Sequence, residues 1–243
     1  MRSDEQRYGK EHYAYYDGID APRKYSKHWW ANRYFSRLIR QRVEGGRLLE
    51  IGFGTGHFLA EVGHHFQTYG IEISSFAISH ARRNCPDANL QLLPTEDLGI
   101  FPEQFFDVIV SKHVFEHLEA PQTVLLQCAR LLRPGGLLLY VVPNMESLMR
   151  HWKGSRWLHY RDETHVSLLY PREWVHLTED GGLKIEKAFP DGFSDVPYVP
   201  WVPNFIQLII FGSLGGIQAL LGLSFLPIPL GESLVVLARK PYF

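Results

Sequence analysis

The chain has 243 residues, 45% hydrophobic and 21% charged, with a formal net charge of −1. This composition excludes wholesale disorder and suits one large packed domain, or one domain with a small appendage. The charge excludes a global pull toward nucleic acid. The two cysteines, Cys85 and Cys128, form no CxxC pair, which excludes a disulfide framework or a cysteine-based zinc site.

Residues 1–46 start polar and become aromatic and basic, with Trp29, Trp30, Tyr34, Phe35, Leu38 and Ile39 among several arginines. They lack the apolar core of a secretory signal, so a cytoplasmic setting is expected. They read as an N-terminal helical segment that covers the site of the domain behind it, residues 47–243. From Arg47 on, short apolar runs alternate with longer amphipathic ones. Strands are predicted over 47–51, 68–73, 90–93, 106–110, 137–142, 183–189 and 234–239, and helices over 57–66, 75–84, 121–132 and 171–180. Alternation of this kind predicts a doubly wound α/β fold, a parallel sheet with helices on both faces. Cys128 continues the helical spacing of Val124, Leu125, Leu131 and Leu132 and reads as a buried apolar side chain. Pro134-Gly135-Gly136 predicts a turn ahead of the fifth strand. Gly181-Gly182 predicts the end of the last long helix.

An apolar insert, 196–231, separates the sixth and seventh strands and contains no charged residue. Within it, FIQLIIFGSLGGIQALLGLSFL is long enough to resemble a membrane span, which needs roughly 20 mostly apolar residues. A single full crossing is excluded if the two flanking strands pair in one sheet. The options are a hairpin broken near 212–216, an interfacial helix on lipid, a lid over the site, a dimer contact, or a segment that only completes the core.

The sharpest motif is LLEIGFGTGHF, residues 48–58: an apolar strand, Glu50, then Gly52, Gly54 and Gly56, then an amphipathic helix. Glycines let backbone approach a ligand, and the helix start offers free amides. A dinucleotide site of GxGxxG type would put its third glycine at position 57, which is His57. Glu50 would repel a pyrophosphate but suits a ligand with an ammonium group and no phosphate, which is the character of S-adenosylmethionine. Glu72 lies about 20 residues beyond the loop, where nucleotide-binding folds place an acid on ribose hydroxyls.

Taken with GIEIS, FFDVIVSKHVFEHL, LLRPGGLLLYVVPN and DETHVSLLYPREW, this motif resembles the class I S-adenosylmethionine-dependent methyltransferases over residues 13–188. Within them it resembles the group related to the ubiquinone-biosynthesis O-methyltransferases. The resemblance implies a Rossmann-like seven-stranded sheet whose last strand is antiparallel. It implies that Glu50, Gly52, Phe53, Gly54 and Gly56 hold the methionine end of the cofactor and that Glu72 and Ile73 hold the ribose. The adenine neighbour falls on Thr95 and Glu96, because Pro94 stands where the family often has an acid. Ser111, Lys112 and His113, at the end of the fourth strand, are expected to border the cofactor.

Methyl transfer to a hydroxyl gains from a base near neutral pH. The candidates are His113, His117 beside Glu116, and His165, each with a structural role as the alternative. No metal motif appears, so no metal is expected. Arg150, His151, Lys153, Arg156, His159 and Arg161 form a basic stretch able to clamp an anion, or simply a solvated loop. The expected acceptor is a small molecule, quinone-like or lipid-linked, with a soluble sugar or natural product as the alternative. Membrane-surface contact through 204–226, peripheral to the inner face, accompanies the first reading, and the chain is expected to be a monomer or homodimer. The rival classes are a nicotinamide-dependent oxidoreductase and a non-catalytic membrane-associated binding module.

Overall fold

The computed structural model describes residues 24, 26–193 and 195–242. Residues 1–23 and 25 of the N-terminal segment lie outside the described residues. Within the described residues, helix α1 (Lys27–Arg40) starts at Ser26, whose hydroxyl accepts the Trp29 N–H at 3.2 Å, and ends with Arg37 and Arg40 on its carbonyl end.

Seven strands follow: β1 (Gly46–Ile51), β2 (Phe66–Glu72), β3 (Asn89–Leu92), β4 (Phe106–Lys112), β5 (Leu132–Pro143), β6 (Lys184–Pro190) and β7 (Ser233–Arg239). They form one sheet in the order β3-β2-β1-β4-β5-β7-β6. The first five strands pair in parallel. The last, β7, runs antiparallel to both β5 and β6, as expected. The connecting helices are α2 (His57–Val62), α3 (Ser75–Asn84), α4 (Pro121–Leu131), α5 (Leu148–Lys153), α6 (Leu158–Arg161), α7 (Pro171–Asp180) and α8 (Asn204–Leu221).

Strand side chains alternate between two cores because successive Cβ atoms point to opposite faces. Leu49, Ile51, Ile109, Leu138 and Tyr140 pack with Val124, Leu125 and Cys128 of α4 and Trp174 of α7. Leu48, Val108, Val110, Leu139 and Val141 pack with Leu38 and Ile39 of α1, Phe58 and Leu59 of α2, and Ile78 and Ala81 of α3. The central strands are covered on both sides, which is why they read as unbroken apolar runs. Cys128 is fully buried, as its helical position predicts.

One expectation is corrected, and one option for the insert is excluded. The Pro134-Gly135-Gly136 turn lies inside β5, not before it. Gly135 (φ +77°) kinks the strand while its N–H still reaches Lys240 O at 2.9 Å and Lys240 N–H reaches Gly136 O at 3.0 Å. The insert contains one unbroken helix, α8, with no break at 212–216. Gly215 serves packing there: a Cβ would lie 2.7 Å from Asp191 O and 3.1 Å from Gly192 Cα, so glycine lets the helix rest on backbone.

The polarity of α8 is inverted. Its buried residues are Gln207 and Gln218. Gln207 accepts from Tyr198 N and Val199 N and donates to Val199 O and Val202 O. Gln218 donates to Pro190 O and accepts from Phe225 N and Leu226 N. Phe205, Ile209 and Leu220 are 66%, 67% and 61% exposed, and Ile210, Leu214, Ile217 and Leu221 are exposed beside them. The helix therefore does not complete the core.

Candidate active site

Strand order reverses between β1 and β4, and open α/β sheets bind ligands at the carboxyl ends of strands at such a point. β1 delivers Glu50, β2 delivers Glu72, and β4 delivers Ser111, Lys112 and His113 to this edge. After β1, Gly52 (φ +70°), Gly54 (φ +56°) and Gly56 (φ +82°) all take the left-handed conformation that glycine alone adopts without steric cost.

Glu50 is buried, and Lys112 Nζ lies 3.1 Å from its Oε1. Its Oε2 has no hydrogen-bond partner among the described residues. Desolvation pushes the carboxyl up to about 7, opposed by the Lys112 ammonium and aided by Glu72. Burial pulls the Lys112 ammonium below the usual lysine range. Its Nζ also donates to Asn32 Oδ1 at 3.1 Å and sits 4.1 Å from the centre of the Phe58 ring. Helix α1 thus reaches the site through Asn32, a contact that no local sequence signal marks. An orphaned buried carboxylate oxygen beside a glycine loop fits the ammonium group of S-adenosylmethionine, because such an oxygen is costly unless a donor reaches it.

Glu72 ties the loop to its own strand. Its Oε2 accepts Gly54 N–H at 2.8 Å, and its Oε1 accepts Ile73 N–H at 2.9 Å and Ser74 N–H at 3.0 Å. A carboxylate has about four lone-pair sites, so ribose hydroxyls remain compatible with these bonds.

The structure limits how Phe53 can meet the cofactor. Its ring is buried in the core against Gly70, where a Cβ would meet it at 2.4 Å, so only its backbone is left for the cofactor. Gly56 has a packing reason of its own: a Cβ there would lie 2.7 Å from Cys85 Sγ and 2.9 Å from Ala81 Cβ. Thr95 is half-buried and Glu96 exposed on the turn after β3. Ser111 is buried, and its hydroxyl has no partner among the described residues.

His113 has a left-handed backbone (φ +55°), unusual for a residue with a side chain, and its N–H is held by Val141 O at 2.9 Å. Left-handed backbone in such a residue costs about 1–3 kcal/mol and clusters at functional positions. Its Nδ1 lies 3.0 Å from Glu116 Oε1. The ring stacks on His159 with centroids 5.8 Å apart and an interplanar angle of 18°. Burial, with His113 and His165 as neighbours, holds His159 well below the ordinary histidine range, so it packs as a neutral ring.

The other two histidines join a second cluster. His117 Nδ1 lies 2.8 Å from Thr164 Oγ1, and the Thr164 hydroxyl lies 2.5 Å from Asp162 Oδ1. His165 Nδ1 donates to His159 O at 2.7 Å. The rings of His117 and His165 lie 4.7 Å apart. All three predicted histidines therefore converge, but only His113 stands directly after β4. The sequence reading missed His159, which it had placed in the basic stretch. That stretch does not form one clamp: His159 is buried and Lys153 is ion-paired with Asp195, while His151, Arg156 and Arg161 are exposed.

Residues 23–188 match the model of the methyltransferase domain family. Among proteins of similar sequence, a phosphatidylethanolamine N-methyltransferase of Cereibacter sphaeroides is 31% identical over 106 residues, 41% of this chain and 51% of that protein. The chain thus spans about half the length of that relative. A ubiquinone biosynthesis O-methyltransferase of Coxiella burnetii is 24% identical over 161 residues, 61% of this chain and 69% of its own. Among solved structures, the Haemonchus contortus phosphoethanolamine N-methyltransferase 2 in complex with S-adenosyl-L-methionine superposes with a TM-score of 0.67 at 16% identity. That superposition covers 98% of this chain and 59% of the other. The match covers more than half of the chain and includes the glycine loop, Glu50, Glu72 and the β4 edge, and the chain therefore belongs to the methyltransferase domain family, as a class I S-adenosylmethionine-dependent methyltransferase.

Proposed function

We propose that this enzyme methylates an oxygen on a lipophilic acceptor drawn from a membrane surface against which α8 lies. The observation that carries the reading is the inverted helix. An 18-residue helix with its glutamines inward and its aliphatic side chains outward makes sense where the outside is apolar. At about 1.5 Å per residue it is about 27 Å long, and it is the described helix long and apolar enough to cross a bilayer. Its two ends return to one sheet edge, where Pro190 pairs with Leu234, so a single crossing is incompatible with the pairing and an interfacial pose fits. That edge is also the carboxyl edge of β5, where the site opens. The names of the two relatives, one for ubiquinone biosynthesis and one for phosphatidylethanolamine, are consistent with a lipophilic acceptor.

Bound S-adenosylmethionine supplies the electrophilic methyl group. Glu50 Oε2 would accept from its ammonium, and the loop held by Glu72 would fix its orientation. His113 donates its Nδ1 proton to Glu116 Oε1, which leaves Nε2 to take the proton of an acceptor hydroxyl. The buried neutral ring of His159 backs that imidazole and helps exclude water.

The test uses the full chain, phosphatidylcholine vesicles loaded with extracted bacterial lipid, and methyl-labelled cofactor. The protein is expected to sediment with the vesicles and to leave label in the organic phase. The double variant Phe205→Glu, Ile209→Glu is expected to stay folded, because both positions are exposed, and to lose both signals. Vesicle binding undiminished in that variant would overturn the membrane reading. Label appearing only in aqueous products would overturn the lipophilic acceptor.

A further inference from the structure

The turn after β4 and the segment 159–167 bring together one carboxylate and two imidazoles, of which the methyl-transfer chemistry uses only Glu116 Oε1, as the partner of His113. Glu116, His117 and His165 each offer a ligand atom, and these atoms lie within 4.8 Å of one another. Ligand atoms around a tetrahedral zinc ion, with bonds of about 2.0–2.1 Å, stand about 3.3 Å apart, so a modest contraction closes the site. We propose that Glu116, His117 and His165 bind a divalent transition-metal ion of the zinc class.

Two observations support this beyond proximity. First, Glu116 is fully buried, and its Oε2 has no hydrogen-bond partner among the described residues, while Oε1 is engaged by His113. A buried carboxylate oxygen in that position lacks the donor or cation that would offset its desolvation. Second, the imidazoles carry the outer contacts that metal-bound histidines use to fix their tautomer. His165 Nδ1 donates to a backbone carbonyl, His159 O, which can only accept, so Nε2 is the ring nitrogen left to bind an ion. His117 Nδ1 faces Thr164 Oγ1, whose own hydroxyl proton goes to Asp162 Oδ1.

The donor set selects the ion. Two imidazoles and one carboxylate suit zinc, iron, cobalt or nickel better than magnesium or calcium, which take oxygen ligands. Three protein ligands leave a further coordination position for solvent or another oxygen. The ion would fasten the segment that carries Asp162, Thr164 and His165 to the turn after β4, where Val166 N and Ser167 N already bind Glu116 O at 3.0 and 2.9 Å. The motif is illegible in the sequence because Glu116 and His165 stand 49 positions apart.

The test reads metal directly and needs neither vesicles nor a methyl acceptor, so it stands apart from the membrane reading. Full-length protein stripped with chelator is titrated with Co²⁺, and the expected result is one ion per chain with ligand-field absorption that Zn²⁺ displaces and Mg²⁺ does not. His165→Asn keeps a donor for His159 O and removes the Nε2 ligand, and is expected to weaken Co²⁺ binding more than about 100-fold. Thr164→Val, one contact removed, is expected to weaken it about 10- to 100-fold. Glu116→Gln is expected to match His165→Asn where it folds, and a cooperative thermal melt of each variant checks folding. If the folded parent takes up no more Co²⁺ or Zn²⁺ than His165→Asn, the site does not exist and His165 is simply an ion-pair partner of Asp162. Surface histidines would bind equally in both proteins and give that same overturning result.

Discussion

At the scale of single residues, Glu50 makes the cofactor pocket sensitive to pH. Its folded-state carboxyl titrates at about 7, above the ordinary value of 4.5, because burial outweighs the pull of Lys112. A raised carboxyl favours the folded state at low pH. That contribution is fully present below about 4.5 and is lost as pH rises through about 7. A cofactor ammonium held by Glu50 would need the ionised form, so its binding would expel the proton. The association constant for S-adenosylhomocysteine is therefore expected to rise up to about tenfold per pH unit below pH 7 and to flatten above it. Calorimetry below pH 7 in buffers of different ionisation enthalpy should register proton release. Glu50→Gln is expected to abolish both effects and to weaken binding about 10- to 100-fold, the loss of one charge-assisted hydrogen bond. A pH profile unchanged in Glu50→Gln would show that the ammonium is held elsewhere. Glu50, Glu72 and the glycine turn were legible in the sequence because they adjoin in the chain or stand at a strand end. The Asn32 contact to Lys112 was not, because nothing around an asparagine in an aromatic helix marks its partner.

At the scale of elements, α8 reverses the usual rule that polar replacements are tolerated outside and apolar ones inside. Gln218 satisfies Pro190 O, Phe225 N and Leu226 N in a buried setting. Gln218→Leu would leave three backbone groups unpaired, and we expect a loss of about 2–4 kcal/mol in a thermal or denaturant melt. Amide exchange at Phe225 and Leu226 is expected to accelerate with it. Leu220→Gln, on the exposed face two positions on, is expected to stay within about 0.5 kcal/mol of the parent. The opposite ranking would mean that α8 packs with its aliphatic face inward. The apolar character of this helix was plain in the sequence, but its orientation was not. Composition cannot say which face is buried when two glutamines are the only long polar side chains, and Gly212, Gly215 and Gly216 look like a break until Gly215 is seen resting on Gly192.

At the scale of the whole molecule, hydrophobic period and turn residues made the alternating strands and helices of a doubly wound fold legible, while the antiparallel last strand followed from the family resemblance alone. Element ends shifted by a few residues where pairing outlasted apolar character, as when Lys240 continues to bond Gly136. Long-range convergence, such as Glu116 with His165, needs the fold before it can be seen. The net charge is −1, so no overall field draws the protein to an anionic surface. A cleft beside α8, lined by Arg33, Arg37 and Arg40 with Leu220, supplies local positive charge, yet Arg37 is already committed to Leu220 O at 2.7 Å. If α8 docks through its aliphatic face, attachment is driven by apolar burial, which salt does not screen. If the arginines dominate, attachment must collapse as the screening length falls from about 8 Å at 0.15 M to about 3 Å at 1 M salt. Sedimentation with zwitterionic phosphatidylcholine vesicles is therefore expected to change less than about twofold across that range, since apolar transfer strengthens slightly in salt. A drop of tenfold or more would transfer the docking surface from α8 to the arginines of α1.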